Sequence, residues 1–297
     1  MKRLALLWFI TAIALPLSAL PAACIYAQEA PAKTYAQKLV EDTLANHPEV
    51  ATLAIHATPP NSKENVIIAS NFGRIGKKAD ADDLSVIKTG RPKMEVNKAG
   101  DHFSVDLPLL DVGKNTIGAL AVTFPYKAGD DKTKFQKQAE LIRDHLRRRI
   151  SHTSNLFDPA RFDDKTPENT YAQKLVDESM ARHPDVIILV MHVTPPNSAE
   201  NVILGSNIGR IGKKADEDDM RVIETGKTNL EVNATGDRFE VELVLRDVGG
   251  KTIGALGVVF PYKVGDDKAK RQRQAEQIRD EMRKQILSAA KLFELAQ

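Results

Sequence analysis

Cysteine is nearly absent: the 297-residue chain carries one, Cys24. A single thiol cannot close an internal disulfide, and it excludes the multi-cysteine cages that hold structural zinc. Charge of one sign is lacking too. The formal net charge is +2, and it falls to about zero if Lys2 and Arg3 leave with an N-terminal leader, which argues against a nucleic-acid binder resting on excess Lys and Arg. The basic stretches Arg147-Arg148-Arg149 and Lys268 to Arg273 are interleaved with Asp and Glu on helical sequence, the pattern of a solvated helix face. Catalytic signatures are also missing. There is no His-Glu-x-x-His, no Gly-x-Ser-x-Gly and no dinucleotide glycine pattern, so the chain reads as non-enzymatic, with no cofactor expected.

Long hydrophobic runs are confined to the N-terminus. Met1-Lys2-Arg3, the apolar run Leu4 to Leu20 and then Ala22, Ala23 and Ala27 follow the order of a secretory signal. The run is broken by Pro16 and falls short of the 20 or so residues a membrane helix needs. The expectation is a signal peptide at 1–27, a mature tail at 28–33, and a periplasmic or secreted product. Lipidation at Cys24, behind Pro21-Ala22-Ala23, is the competing fate of this segment. Cleavage after Ala27 leaves no cysteine at all.

What is present is a duplication. Residues 34–150 and 170–286 are one segment written twice, at a constant offset of 136 positions and without gaps. Residues 151–169, with Asp158-Pro159, Asp163-Asp164 and Pro167, read as a linker, and the second repeat is taken to run to 297.

Each copy opens on Thr34 or Thr170 with Gln three places on, a pair able to exchange hydrogen bonds with the free amides of a first helical turn. Ala36, Leu39, Val40 and Thr43 then fall on one face, and Pro48 or Pro184 marks the end. Two aliphatic strands follow, Val50 to Thr58 and Asn65 to Ser70, with the Thr-Pro-Pro-Asn turn between them. Asp80 or Asp216 caps a short helix that Gly90 or Gly226 ends. Three strands come next, Met94 to Asn97, His102 to Leu109 and Thr116 to Phe124; the second of them turns Phe103, Val105, Leu107 and Leu109 inward and polar residues outward. An amphipathic helix with Ala139, Ile142 and Leu146 closes the repeat. The fold class is therefore α+β. Each repeat is predicted as a five-stranded antiparallel sheet with a long N-terminal helix, a short inserted helix and a C-terminal helix, the helices covering one face.

That order, with Asn65-Val66-Ile67-Ile68-Ala69-Ser70-Asn71 and Ile75-Gly76-Lys77, and in the second copy Val202 to Asn207 and Ile211-Gly212-Lys213, resembles the extracytoplasmic PAS-like sensor modules called Cache or PDC domains. The resemblance spans each repeat and implies a pocket between sheet and short helix. It also implies ligand binding outside the cytosol. Most members of that family sit between two membrane helices and feed a cytoplasmic effector, neither of which this sequence shows, so a signal would pass through a membrane-bound partner.

The candidate site is the glycine-punctuated loop Asn71 to Lys78, repeated as Asn207 to Lys214. Arg74, Lys77, Arg210 and Lys213 can offer charge and hydrogen bonds to a small polar or anionic ligand, with Asn71 and Asn207 orienting it. The bland reading is a solvated turn whose cations pair with nearby Asp. It is not a phosphate loop, since Asn71 and Lys78 stand where Gly and Ser or Thr belong. His56 and His192 lie at equivalent strand positions, opposite in direction to the core residues, and line the pocket only if that side faces a helix. The acids at 80, 82 and 83 lack the spacing of a calcium loop and suit a helix start, so no metal is expected. The leading expectation is an exported, sensor-like binding protein. The alternatives are a scaffold with vestigial pockets, including a homodimer through its helices, and haem or metal carriage through His56 and His192.

Overall fold

Helix α1 (Tyr35–Asn46) starts where the Thr34 hydroxyl accepts a hydrogen bond from the Gln37 amide at 3.2 Å, a cap of the kind that stabilises a helix by about 1 kcal/mol. The Gln37 side chain does not return to the cap. It reaches the edge of the sheet, donating to Ser70 O at 3.2 Å and accepting from Ser70 N at 3.1 Å, so the expected reciprocal pair is replaced by a clamp from helix to strand. The computed structural model describes residues 33–196 and 198–296. The leader at 1–27, nearly all of the tail at 28–33 and lipidation at Cys24 lie outside the described residues.

After α1 the first repeat runs β1 (Thr52–Ala57), β2 (Val66–Ser70), α2 (Ala81–Thr89), β3 (Lys93–Val96), β4 (His102–Leu110), β5 (Thr116–Pro125) and α3 (Lys132–Arg147). The second runs α4 (Tyr171–Arg182), β6 (Ile188–Val193), β7 (Val202–Ser206), α5 (Glu217–Thr225), β8 (Asn229–Val232), β9 (Arg238–Arg246), β10 (Thr252–Pro261) and α6 (Lys268–Arg283), with a short α7 (Ala289–Leu292) after it. Both sheets are antiparallel, ordered β2-β1-β5-β4-β3 and β7-β6-β10-β9-β8. The first and last strands of a repeat thus pair at its centre, which brings α1 and α3 onto the same face.

That face holds the core. Leu39 and Val40 of α1 and Ile142 and Leu146 of α3 pack on Leu53, Ile55, Val105, Leu107, Leu120 and Val122, and the second repeat repeats the arrangement. The expectation of helices on one face only is corrected at α2 and α5. In the second repeat Val222 of α5 is buried with Val244 and Ala255 in a separate cluster on the opposite side of the sheet. Positions alternating with the core on β4 and β9 therefore face a helix, and on β9 also a hollow, and only in part the solvent.

The segment between the repeats is also more ordered than a linker. It contains a 3₁₀ turn at Thr153–Phe157 and buries Ser151, Asn155, Leu156 and Thr166. Thr34 bridges to Pro159 and Thr170 to Leu295 in the same antiparallel manner, so 151–159 and 287–295 are one repeated element closing each module. The described residues form one compact unit. No helix among the described residues is long and apolar enough to cross a membrane.

Candidate functional site

The side of the second sheet turned away from the core forms the floor of a cavity of about 330 Å³, large enough for a small molecule. Ile188, Val190 and His192 of β6, Glu240 and Glu242 of β9, and Gly257 and Val259 of β10 line it, with Asp216 and Asp219 at the start of α5 and Arg210 and Lys213 from the preceding loop. Ser151 and His152, which follow the first repeat, complete one wall. The cavity therefore depends on both repeats.

Asp219 has two tasks. In a capping box Asp216 accepts from the Asp219 amide at 3.2 Å, and one Asp219 carboxylate oxygen accepts from the Asp216 amide at 3.1 Å. The other oxygen lies 3.4 Å from His192 Nε2. His192 is fixed from behind: a side chain at Gly254 would place its Cβ 1.8 Å from the His192 carbonyl, so β10 approaches β6 this closely only with glycine there. A register shift at Met191/His192, matched by one at Ile55/His56, is the kind of bulge that re-aims a side chain.

Burial controls the electrostatics. It pushes the Asp219 carboxyl up to about 7, and Glu240 up to about 7, where Glu242 and Asp219 add repulsion. Glu242 is raised as well, mainly by burial. Burial pushes His192 down to about 4, so its ring is neutral near pH 7. His192 Nδ1 and Arg238 Nε are buried without a hydrogen-bond partner. Such groups carry an unmet demand for a donor or acceptor.

The lining cations are mostly engaged elsewhere. Arg210, held at φ 67° in the left-handed region, gives its Nε to Asp158 at 2.9 Å; Arg238 pairs with Asp111 at 3.1 Å, and Lys214 with Glu200. Lys213 lines the cavity with no ion pair among the described residues. Net negative character prevails. The anionic ligand expected from Arg210 and Lys213 is thus corrected at Arg210, whose charge Asp158 already meets.

The other predicted residues fall as follows. Asn207 and Asn71 are not ligand-orienting groups, because backbone uses up their amides. Asn207 accepts from Leu189 N at 2.9 Å and donates to Ile187 O and Arg148 O; Asn71 accepts from Leu53 N at 3.0 Å and donates to Ala51 O. Both extend the ladder past the strand ends. Arg74 and Lys77 are exposed, Arg74 lying 5.8 Å from the Phe72 ring. His56 is buried on the matching side of the first sheet, its Nδ1 3.3 Å from Asp83; burial lowers the histidine and raises the aspartate. Asp106 beside them is pushed up to about 7, again by burial. The two histidines sit on separate sheets, and among the described residues no cluster of three His, Cys, Asp or Glu is placed to hold a metal. Sequence reasoning missed Glu240, Glu242 and Asp106. Their signal was the polar alternation on β9 and β4, taken there to mean solvent.

No family model matches the chain, and no curated protein does. Solved structures do. The Agobacterium tumefaciens repressor BlcR aligns at 10% identity over 39% of this chain and 67% of that one, TM-score 0.30. The A. aeolicus nlh2 GAF domain in an inactive state aligns at 17% identity over 38% and 83%, TM-score 0.31. PelD 158-CT from Pseudomonas aeruginosa PAO1 aligns at 16% identity over 86% and 81%, TM-score 0.27. Likeness at this level carries no argument about chemistry; the PAS/GAF-like arrangement of each module rests on the strand order itself.

Proposed function

We propose that this is an exported, non-catalytic binding protein of the Cache-like sensor type, whose second repeat holds a small polar molecule bearing a cationic group. One observation carries the reading: a half-open cavity in which buried Asp219 and half-buried Glu240, each raised to about 7, have no cation paired to them among the described residues, while the arginines beside them are paired to Asp158 and Asp111. A bound ammonium or guanidinium supplies the missing charge. Lys213 offers a place for an anionic end, so a zwitterion fits better than a simple anion.

Absence of catalysis is part of the proposal. At the rim Ser151 Oγ lies 2.8 Å from His152 Nδ1, but no carboxylate hydrogen-bonds the far ring nitrogen among the described residues, as a hydroxyl nucleophile would require. Information would leave through a membrane-bound partner, and export follows from the leader reading of residues 1–27.

Melting the protein with amines, zwitterionic amino compounds and dicarboxylates tests the site, because a ligand selective for the folded state raises Tm with its concentration. Amines and zwitterions are expected to raise Tm at pH 8 and lose the effect below pH 6, as the carboxyls take up protons. Glu240→Gln should weaken both classes, and Lys213→Ala the zwitterions alone. A response confined to dicarboxylates, or one indifferent to Glu240→Gln, overturns the assignment. Mass spectrometry of the product recovered from the periplasm or medium checks export; an intact Met1 in a cytosolic fraction refutes it.

A further inference from the structure

The contact between the two repeats is made in part from residues that recur: Val112, Asp111 and Arg210 reappear as Val248, Asp247 and Arg74, and Asp158, Ile208 and Arg238 as Glu294, Phe72 and His102, while Ile188, Val259 and Asn155 are replaced by Thr52, Thr123 and Lys291. At the end of the first repeat Val112 is 3% exposed because it packs on Ile188, Ile208 and Val259 of the second. Asp158 and Asp111 meet Arg210 and Arg238 at 2.9 and 3.1 Å, and Asn155 donates to Ile208 O at 3.2 Å. A related donor end exists on the second repeat, with Lys291 in the place of Asn155 and paired at 2.5 Å with Glu294. There Val248, the counterpart of Val112, is 53% exposed, with Asp247 before it and Glu294 in the place of Asp158.

Of the three positions that hold Val112, the corresponding face of the first repeat keeps an apolar side chain at one, Phe72, with Thr52 and Thr123 in the places of Ile188 and Val259. Phe72, the counterpart of Ile208, is 41% exposed against 4%, and Ile75, the counterpart of Ile211, is 58% exposed against 9%. Arg74 and His102 stand where Arg210 and Arg238 stand. We propose that the chain associates with a second copy of itself head to tail, the Val248 end of one docking on the Phe72 face of the next. Glu294, which holds Lys291 in the single chain, then also meets Arg74, and Asp247 meets His102, at the places where Asp158 and Asp111 meet Arg210 and Arg238 within one chain. The contact is heterologous, so it extends into a ring or a filament and does not stop at a two-fold dimer.

The association also finishes a site. In the second repeat Ser151 and His152 wall the cavity; their counterparts Leu287 and Ser288 on a neighbouring copy come to the same position beside His56, Asp83 and Asp106. Leu287 is exposed in the single chain. The inference does not rest on the nature of the ligand.

Sedimentation velocity on the full chain, over a wide range of concentration, decides it. The wild type is expected to grow past dimer as concentration rises. Val248→Asp and Phe72→Asp each remove one end from a surface side chain, so each alone should stay monomeric with unchanged circular dichroism. Mixed in equal amounts, they retain one intact contact and should give a dimer that grows no further. A wild type that is monomeric at the highest concentration overturns the proposal, as it would if the residues before 33 cover Phe72. A wild-type dimer of fixed size that survives both variants, or a mixture that stays monomeric, also overturns it.

Discussion

The loop Asn71 to Lys78 and its copy Asn207 to Lys214 differ at one position, Phe72 against Ile208, yet the first is exposed throughout and the second is largely packed. Backbone conformation is not the cause: Gly73 and Arg74 have φ of 76° and 62°, Gly209 and Arg210 of 72° and 67°. Place in the array is. The second loop is met by Tyr35, Asp158 and Asp163 from the first repeat and the segment after it, whereas the first has no described module ahead of it. A motif can therefore specify its shape while leaving its surroundings, and so its chemistry, to the neighbour.

The largest effect that sharpens this contrast is expected at the paired glycines. A Cβ at Gly209 would lie 2.4 Å from the Tyr35 ring, whereas at Gly73 nothing lies within 4 Å. Gly209→Ala should cost about 3 kcal/mol or more, from overpacking added to left-handed strain, and Gly73→Ala only about 1 from strain alone. Urea denaturation of the two variants measures the difference; equal losses would remove neighbour packing as its source. Next comes Asp111→Asn, which strands the Arg238 guanidinium without its counterion and should cost about 2–3 kcal/mol. Asp247→Asn, at the free end, should cost less than about 1, because the amide still accepts from Lys251 N as Asp247 does at 2.9 Å.

The third effect depends on pH. Glu240, raised to about 7 in the fold, favours folding fully below its ordinary carboxyl range and loses that contribution as pH rises through 7. Glu240→Gln should therefore match the wild type near pH 4 and exceed it at pH 8 by about 1–2 kcal/mol. His192, depressed to about 4, acts in the opposite sense, its contribution being lost as pH falls from about 6.5 to 4. It is common to both proteins and cancels in the difference. A flat difference curve would deny Glu240 its half-buried position. The smallest effects belong to Lys78→Ala and Lys214→Ala, whose pairs with Glu64 and Glu200 are exposed in both repeats; each should stay within about 0.5 kcal/mol. A larger loss at Lys214 alone would show that the second loop's packing reaches this pair.

Much of the architecture was legible because local rules and the global fold agree. Thr34, Asp80 and Gly90 cap where they were expected to cap, and the alternation of Phe103, Val105 and Leu107 located the core side of β4. What escaped were features set at longer range. Alternation shows that a strand has two sides, but it cannot tell solvent from a second helix layer, so Glu240 and Asp106 read as surface. The Asp and Pro residues of 151–169 have loop chemistry, yet Asn155 is buried because a second module exists for it to meet. The Arg and Lys of the glycine loop were visible; the carboxylates that occupy Arg210 and Arg238 lie 52 and 127 positions away, beyond any local pattern.

The capping box at α5 joins the cavity to the outside of the molecule. One Asp219 carboxylate holds the Asp216 amide and also lines the hollow. A guest that draws the proton off Asp219 leaves a full anion on that amide, which tightens the first turn of the helix. Occupancy would then be legible in backbone deuterium uptake at 216–219, slowed on α5 while the distant α4 keeps its own rate.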